Sequence, residues 1–457
     1  MNRIARPLTF LATILIVAQA PAGGWTHYAG HAARNAIAAF APATLDNVLW
    51  SARPGADEEF VARSTPVASQ GRVFVNTRRF TDFLQTANLV IAYNAGSGRR
   101  MWTAEVPADV NDSWSSPAID TRNSAVVIAT GRSVTALDLG SGAPLWQTEL
   151  TREVVNASPA VTIDRTNAAV PVNRVFITDS NSFGVATLYA INVDPFDATV
   201  NPFLPGQIVW TADLPGATGS TPSYRGGAVY VTTTSGFVCA FNAADGAALW
   251  QTDASPLECD PSGGLCGFFG GAARHGDFVY AASFAFDGGQ NNSRLYKFSA
   301  TTGAIVWSVC TERTDAIPIV TPGGMVIVSG GIDGFGSTAK IQAYADLGDH
   351  AQLMWDTAAP DSVSPVLGGW THQPLLSEQR LYAGSPDPFA FLAPYADLCV
   401  LDLSKTPADP GFVVSRHVGS GGSPAADVRL FSIGVGGLFC FEQLGLENPH
   451  VVGELGN

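Results

Sequence analysis

Basic side chains are scarce in this sequence. The 457 residues include 25 Lys and Arg against 39 Asp and Glu, which gives a formal net charge of -14. The basic residues form no cluster or stripe, so the sequence lacks the positive surface that nucleic-acid binding requires. We therefore expect no nucleic-acid partner, and we interpret the acidic balance as a surface that keeps the protein soluble.

Long apolar runs are absent after the N-terminus. Residues 8–18 are apolar and follow Arg3 and Arg6. Small residues that suit a cleavage site occur at Val17-Ala-Gln-Ala20 and at Ala20-Pro-Ala22. This order is typical of a secretory signal peptide, and the apolar stretch is too short for a comfortable membrane span. No cysteine follows it, so the sequence predicts a signal peptide at 1–22 and a secreted or periplasmic chain without membrane span or lipid anchor.

Cysteines number only six, and no two of them are adjacent. Cys259 and Cys266 lie seven positions apart in a loop rich in Pro and Gly. In an exported protein they could form a disulfide that closes this loop. We predict that the cysteines in apolar strand segments are buried free thiols, namely Cys239, Cys399 and Cys440. The pairing of Cys310 cannot be read from the sequence.

Motifs that carry well-known chemistry are also missing. The sequence contains no Gly-x-Ser-x-Gly, no His-Glu-x-x-His, no phosphate-binding loop and no dinucleotide fingerprint. It has no Cys-x-x-Cys-His haem attachment, and no Asp/Glu-rich loop that would gather calcium ligands. From motifs we therefore predict no catalytic residue, no metal site and no cofactor.

What the sequence does contain is a repeated phrase that ends in tryptophan. Its clearest copies occupy 94–102, 138–146, 242–250 and 299–307, each with a glycine four residues before the tryptophan. The tryptophans that end complete or looser copies are Trp50, Trp102, Trp146, Trp210, Trp250, Trp307 and Trp355. Their spacing of 40 to 64 residues marks a repeat architecture. We predict that these seven indoles are structural and dock neighbouring units together.

One repeat unit shows four short strands. Residues 115–119, 125–129, 134–137 and 145–148 are apolar or β-branched runs that are separated by turn residues. Four antiparallel strands per unit, repeated many times, predict a β-propeller. The central hairpins of the units lie near 72–94, 125–138, 174–192, 228–242, 278–299, 325–345, 380–402 and 428–442. We therefore predict an all-β, eight-bladed propeller, with seven blades as the alternative.

The two ends of the repeat indicate how the ring closes. The eighth unit ends near Glu442 with no tryptophan strand after it, whereas residues 48–50 form a tryptophan strand with no blade before it. If the strand around Trp50 completes the last blade, two otherwise exposed strand edges are paired. We accordingly divide the chain into a signal peptide (1–22), an N-terminal extension (23–43), the propeller (44–444) and a C-terminal tail (445–457).

These repeats resemble the PQQ-like (quinoprotein-type) β-propeller family. Its characteristic Ser-Pro-Ala-Val, Leu-Tyr-Ala-Leu, Val-Tyr-Val and Thr-Gly letters have counterparts at 158–161, 188–191, 228–231 and 302–303. The resemblance covers about residues 44 to 444 and implies the fold. The family includes quinoprotein dehydrogenases, which hold PQQ and calcium over the central channel, and non-catalytic members such as the assembly scaffold BamB. This chain lacks the adjacent cysteines of the former and the anchoring cysteine of the latter.

Candidate binding residues are those that depart from the repeat near the channel. The strands predicted to line the channel begin at Thr65-Pro66, Ser116-Pro117, Ser158-Pro159, Thr221-Pro222 and Ser423-Pro424. Trp114, Trp370 and His372 lie beside such strands, and neither tryptophan occupies the docking position. An aromatic side chain beside polar groups could stack on a planar or sugar ligand, or it could plug the channel. His372 has no partner at metal-ligand spacing.

Together these observations favour an exported, non-catalytic propeller. We expect it to bind a protein or an extracellular ligand as a monomer, through one face of the ring. One alternative is a PQQ-dependent oxidoreductase, with calcium, whose atypical site includes Trp114, Trp370 and His372. Another is a glycan-binding or glycan-processing propeller. Fold alone cannot choose between these functions, because one fold hosts many unrelated sites.

Overall fold

The repeat folds as a closed ring of β-sheets. The computed structural model describes residues 24–61, 63–82, 84–109, 113–162, 172–180, 184–254, 266–285, 289–333, 336–385 and 396–443. Within these ranges the chain forms 36 strands and no helix. The strands build eight antiparallel blades of four strands each, two of which carry one extra strand. The prediction of an all-β, eight-bladed propeller is therefore confirmed.

The first half of the ring contains blades 1 to 4. Two strands precede them, β1 (Ile37–Ala38) and β2 (Val48–Ala52). Blade 1 contains β3 (Glu58–Phe60), β4 (Val67–Ser69), β5 (Arg72–Thr81), β6 (Leu84–Asn94) and β7 (Arg100–Val106). Blade 2 contains β8 (Ala118–Asp120), β9 (Ala125–Thr130), β10 (Ser133–Asp138) and β11 (Pro144–Glu149). Blade 3 contains β12 (Ala160–Val161), β13 (Arg174–Thr178), β14 (Thr187–Asn192) and β15 (Ile208–Asp213). Blade 4 contains β16 (Ser223–Arg225), β17 (Ala228–Thr232), β18 (Phe237–Asn242) and β19 (Ala248–Asp253).

The second half of the ring contains blades 5 to 8. Blade 5 contains β20 (Cys266–Gly267), β21 (Ala273–His275), β22 (Phe278–Ala282), β23 (Phe284–Ala285), β24 (Ser293–Ser299) and β25 (Ile305–Thr311), of which β20 and β23 form a small separate sheet. Blade 6 contains β26 (Ile319–Val320), β27 (Met325–Gly330), β28 (Lys340–Asp346) and β29 (Ala351–Asp356). Blade 7 contains β30 (Leu375–Ser377), β31 (Arg380–Gly384), β32 (Asp397–Asp402) and β33 (Val413–Val418). Blade 8 contains β34 (Ala425–Ala426), β35 (Leu430–Gly434) and β36 (Gly437–Phe441), and β2 completes it.

Two ends of the ring can be distinguished by the direction of the strands. In each blade the first strand lies nearest the axis, and inner strands of neighbouring blades touch, as β4 does with β8 and β34. Because the strands alternate in direction, the turns after the first and third strands lie at one end of the ring. We call this the closed end. The loops that lead from one blade to the next lie at the opposite end, which we call the open end.

The tryptophans of the repeat hold the rim of the ring together. Each lies on the outer strand of its blade and faces the turn between the third and fourth strands of the next blade. Four of them donate the indole N–H to a carbonyl oxygen of that turn, at 2.9–3.2 Å. A Cβ at Gly246 in such a turn would lie 2.6 Å from Cε3 of Trp210. The predicted docking role of the indoles agrees with these contacts, and each repeated glycine makes room for the tryptophan of the preceding unit.

One of the eight blade interfaces has no such tryptophan. Strand β2, from the N-terminus, pairs antiparallel with β36 and completes blade 8, as predicted for the strand around Trp50. Blade 8 therefore has no turn between its third and fourth strands to receive an indole from blade 7. The corresponding position of blade 7 holds Ser415, whose hydroxyl accepts the Leu45 N–H at 2.9 Å. The absence of an eighth tryptophan thus follows from the way the ring closes.

The Ser/Thr-Pro residues form an inner girdle around the axis. The backbone N–H of Thr65 donates to the Ser116 hydroxyl, and that of Ser116 donates to the Ser158 hydroxyl, at 2.8 and 2.9 Å. The Ser158 N–H donates to the Thr221 hydroxyl, and the Gln373 N–H donates to the Ser423 hydroxyl, both at 3.0 Å. Each hydroxyl therefore links two neighbouring blades. This bonding gives these residues a structural role.

The chain before the first blade crosses the closed end of the channel. Residues 24–45, which we call the strap, bond to the inner strands of seven blades in succession. The bonded pairs are Trp25 with Ala68, Thr26 with Ile119, His27 with Val161, Ala32 with Tyr224, Ala33 with Arg274, Asn35 with Val320 and Ala36 with Leu376. Strand β1 also pairs parallel with β30. The described part of the predicted extension, 24–43, is thus integrated into the ring.

Candidate functional site

The closed end of the channel is held by a buried arginine on the strap. Arg34 is 0% exposed. Its guanidinium donates to the carbonyl oxygens of Tyr28, Ser158, Pro159 and Pro222 at 2.7–3.1 Å. Burial lowers the pKa of Arg34 to about 9, so the guanidinium stays charged at neutral pH. These bonds hold the strap against blades 3 and 4. The closed end therefore has a structural role.

At the open end, each blade presents one residue at an equivalent place. In blades 1 to 7 the strap bonds to the inner strand two residues after the position of its proline. The position three residues before that proline lies at the opposite end of the strand. Blade 5 has Ala272 in place of the proline. Around the ring these rim positions hold Arg63, Trp114, Asn156, Gly219, Phe269, Asp315, Thr371 and Gly421. Arginine and aspartate are the charged residues of this set.

The open end is dominated by a cationic and aromatic cluster. The Arg63 guanidinium carbon lies 4.9 Å from the ring centroid of Trp114 and 5.6 Å from that of Trp370. The two indoles meet edge to face, with centroids 6.1 Å apart. Two phenylalanines extend this row of rings. The ring centroids of Trp370 and Phe284 are 5.6 Å apart, and those of Phe284 and Phe269 are 5.2 Å apart. A cation over indole faces is attracted by their negative potential, so the cluster is preorganised.

A buried carboxyl group lies beside this cluster. The Asp315 backbone N–H donates to the carbonyl oxygen of Trp370 at 2.7 Å, and the residue is 8% exposed. Burial raises the pKa of Asp315 to about 8, and the charge of Arg63 opposes that rise. Among the described residues, Asp315 Oδ1 has no hydrogen-bond partner, and neither has Asn156 Oδ1 on the same rim. The open end therefore holds acceptors that the fold leaves unsatisfied.

The structure brings together two of the three predicted binding residues. Trp114 and Trp370, which come from blades 2 and 7, share the guanidinium of Arg63. His372 is fully buried behind them, and its Nε2 accepts the Gly384 N–H at 2.8 Å. Burial lowers the pKa of His372 to about 3, so the ring is neutral. His372 therefore stabilises the fold rather than contacting a ligand at the open end.

Two residues of the cluster were missed by the sequence analysis. Arg63 and Asp315 belong to no motif, and neither stands beside an unusual neighbour. The signal that identifies them is positional, because both lie three residues before the proline of an inner strand, as Trp114 does. Aligning the units on that proline and comparing the rim position alone would have found them.

The cysteines divide into described and undescribed groups. Cys239, Cys399 and Cys440 are buried free thiols, as predicted, and burial raises the pKa of each. Cys259 and the side chain of Cys266 lie outside the described residues, so their predicted disulfide stays a prediction. Cys310 is disulfide-bonded. Non-reducing peptide mapping tests the predicted pairing of Cys259 with Cys266.

A cavity lies at the closed end, between blades 2 and 3. The turn from 193 to 207 is longer than its counterparts and forms one wall of this cavity, whose volume is about 460 Å³. Trp146 lines it, together with the exposed Phe196 and Leu204. The Asp120 carboxylate at its edge is already bonded to Asn123. The lining of this cavity is mainly apolar, and Asp120 and Asn123 are its polar members.

Comparisons with known proteins define the class and then the family. The architecture is that of an eight-bladed propeller with PQQ-like repeats. A family model described as "Outer membrane protein assembly factor BamB" matches residues 23–194 and 204–283. The chain belongs to this PQQ-like β-propeller family. A search of curated protein sequences found no match.

Several solved structures share the fold. BamB from Moraxella catarrhalis has a TM-score of 0.58 at 16% identity, over 88% of this chain and 99% of that one. A europium-containing methanol dehydrogenase gives 0.62 at 12% identity, over 90% of each chain. The quinohemoprotein alcohol dehydrogenase from Comamonas testosteroni gives 0.60 at 12%, over 89% of this chain and 76% of that one. At these identities the likeness concerns the fold alone.

The residues at the open end do not fit PQQ with calcium. Calcium takes six to eight oxygen ligands. In the part of the chain that the structure describes, no three His, Cys, Asp or Glu side chains are grouped to hold a metal. A planar quinone needs a flat slot, whereas the two indoles stand at 87° to each other and Arg63 lies against both.

Within the described residues, no helix is long and apolar enough to cross a membrane.

Proposed function

We propose that this protein is an exported, non-catalytic, monomeric binding module that holds a protein partner or an extracellular ligand at the open end of its channel. The observation that carries the proposal is the cluster of Arg63, Trp114 and Trp370 with the buried Asp315 beside it. Membership of a family described as an assembly factor supports a scaffold role. Rigid scaffolds commonly concentrate their binding residues on loops.

The way in which the rest of the channel is used supports a binding site at the open end. The strap satisfies the inner strands at the closed end, and the inner girdle uses the Ser/Thr hydroxyls between blades. Aromatic and arginine side chains are the types most often found at the energetic centre of interfaces. Phe269, 38% exposed, extends the aromatic row outward.

A site-specific crosslinking experiment tests this placement. A photoreactive amino acid is introduced at Phe269 on the open end or, as a control, at Leu353, which is 46% exposed on the outer strand of blade 6. We expect a crosslinked species from position 269 that is lost when Arg63→Gln or Trp370→Ala is added. Crosslinking from position 353 alone, or crosslinks at 269 that ignore both substitutions, would place binding elsewhere and contradict the proposal.

The quinoprotein fold of two structural neighbours makes PQQ the natural competing ligand. A titration of the purified protein with PQQ and Ca²⁺, followed by absorbance and a dye-coupled alcohol oxidation assay, tests it. We expect neither saturable binding nor turnover, because the edge-to-face indoles leave no slot for the ring. Stoichiometric PQQ binding with turnover would overturn the non-catalytic proposal.

A further inference from the structure

We propose that the open end recognises a neutral carbohydrate whose hydroxyl groups accept hydrogen bonds from Arg63 and donate them to Asn156 and Asp315, and whose ring packs on Trp114 and Trp370. This inference rests on the proposed function and gives the ligand a chemical class. It concerns five described residues on the loops that enter blades 1, 2, 3, 6 and 7. The carbohydrate would sit over the channel at the end opposite the strap.

The unsatisfied acceptors at the open end favour a ligand that donates hydrogen bonds. Asp315 Oδ1 and Asn156 Oδ1 are buried acceptors with no partner among the described residues. Buried acceptors of this kind are uncommon in folded proteins, because leaving them unpaired is costly. A ligand carboxylate offers acceptors alone and cannot satisfy Asn156 Oδ1 or an ionised Asp315. A hydroxyl group can.

A hydroxyl group also tolerates both charge states of the site. It donates one hydrogen bond and accepts up to two, so it can accept from the Arg63 guanidinium while it donates to a carboxylate. Burial raises the pKa of Asp315 to about 8, so much of this carboxyl is protonated at neutral pH. A protonated carboxyl can donate to the hydroxyl instead. Binding of a polyol therefore does not depend on one protonation state.

The aromatic row supplies the apolar half of the site. A pyranose ring has polar edges and an apolar face of C–H groups, which matches an indole flanked by hydrogen-bonding side chains. Trp114 and Trp370 are both partly exposed, and the row ends at the exposed Phe269. The net charge of -14 disfavours a polyanionic chain, whereas a neutral one meets no such repulsion. The site therefore favours a neutral glycan over an acidic one.

Titration with neutral oligosaccharides tests the inference. The probes are cellohexaose, maltohexaose, laminarihexaose and N-acetylated chitohexaose, and the readouts are tryptophan fluorescence and calorimetry on the full mature chain. We expect at least one probe to bind saturably. Trp370→Ala should weaken it about tenfold or more, since the backbone bonds of Trp370 remain and only the indole is lost. Asp361→Asn, at an exposed position, is the matched control and should leave affinity unchanged.

Asp315→Leu separates a binding role from a structural one. Leucine has the same number and branching of heavy side-chain atoms as aspartate and removes an unsatisfied buried carboxyl, so the melting temperature should rise while oligosaccharide affinity falls about tenfold or more. A residue that merely supports the fold would not give these opposite changes. Saturable binding that survives both Asp315→Leu and Trp370→Ala would overturn the inference, as would failure of all four probes to bind.

A peptide array probed with the same protein distinguishes failure of this inference from failure of the proposed function. If peptides bind in a manner that needs Arg63 and Trp370 and no oligosaccharide binds, the open end is a protein-binding site and the carbohydrate assignment is wrong. If neither kind of probe binds and no crosslink forms at position 269, both proposals are wrong.

Discussion

The two ends of the channel each hold a buried arginine, and the two arginines have opposite surroundings. Arg34 at the closed end donates to four backbone carbonyl oxygens. Arg63 at the open end lies against two indoles near the buried Asp315. Arg34 provides buried carbonyl oxygens with the hydrogen bonds that water would otherwise supply. Its role is therefore to stabilise the fold. Arg63 instead lies among side chains that can also reach a ligand.

The difference shows how one repeat can give two unlike ends. The inner strands are equivalent in all blades, and two residues past each proline the backbone is free to bond to the strap. Three residues before each proline the side chain varies from glycine to tryptophan. The closed end is therefore specified by backbone groups common to the blades. The open end is specified by eight independent side chains, and that is where a binding specificity can be built.

The largest expected effect separates the two arginines directly. Arg34→Met leaves four buried carbonyl oxygens without a donor, and we expect it to lower the free energy of unfolding by about 3 kcal/mol or more. Arg63→Met removes the attraction of the guanidinium to the two indoles, which is worth about 1 kcal/mol, and we expect a smaller loss than for Arg34→Met. Guanidinium denaturation midpoints of both variants measure the contrast. Equal losses of unfolding free energy for the two variants would contradict the view that Arg34 is structural and Arg63 is not.

A smaller effect tests the frame that keeps the two ends apart. Gly246 has φ +75° and its added Cβ would lie 2.6 Å from Trp210, whereas Gly276 has φ +53° and open space around it. Alanine at either position adopts a left-handed conformation that costs about 1 kcal/mol. We expect Gly246→Ala to cost about 1–3 kcal/mol more, because the indole must also move. Thermal or denaturant unfolding of both variants isolates the packing contribution, and similar losses would argue against the indole contact.

A further expected effect concerns pH at the open end. The folded pKa of Asp315 is raised to about 8 from a reference value of 3.8, so the folded state binds the extra proton between these values. Stability should therefore fall as the pH rises from about 4 to about 8, by on the order of a few kcal/mol at most. Asp315→Asn should flatten this slope, whereas Asp361→Asn should not. Denaturation midpoints across that range that are unaffected by Asp315→Asn would contradict the assignment.

The ring was predictable because its constraint is local and repeated. The glycine needs a left-handed turn and the tryptophan of the preceding unit needs the space that glycine leaves, so both letters recur in every complete copy. Closure by the strand around Trp50 followed from counting strands at the two ends. The strap was not predictable. His27, Arg34 and Asn35 bond mainly to backbone groups, which exist at every position and leave no trace in the sequence.

The open end was predictable in part. Trp114 and Trp370 were visible because a tryptophan outside the docking position breaks the repeat. Arg63 and Asp315 were not, because a single charged residue in a loop is ordinarily solvated and their burial depends on loops of distant blades. The sequence analysis assigned His372 to the site because it lies two residues after Trp370. The chain turns between them, so the imidazole points inward to Gly384.

Hydrogen exchange of the native protein tests most directly whether the channel is sealed at one end. The amides of Ile119, Val161 and Leu376 bond to the strap and should exchange as slowly as the amides of the second and third strands of their blades. Such protection would confirm that the strap belongs to the folded core and that the open end alone is available to ligands. Exchange of these three amides at the rate of exposed turns would contradict the account.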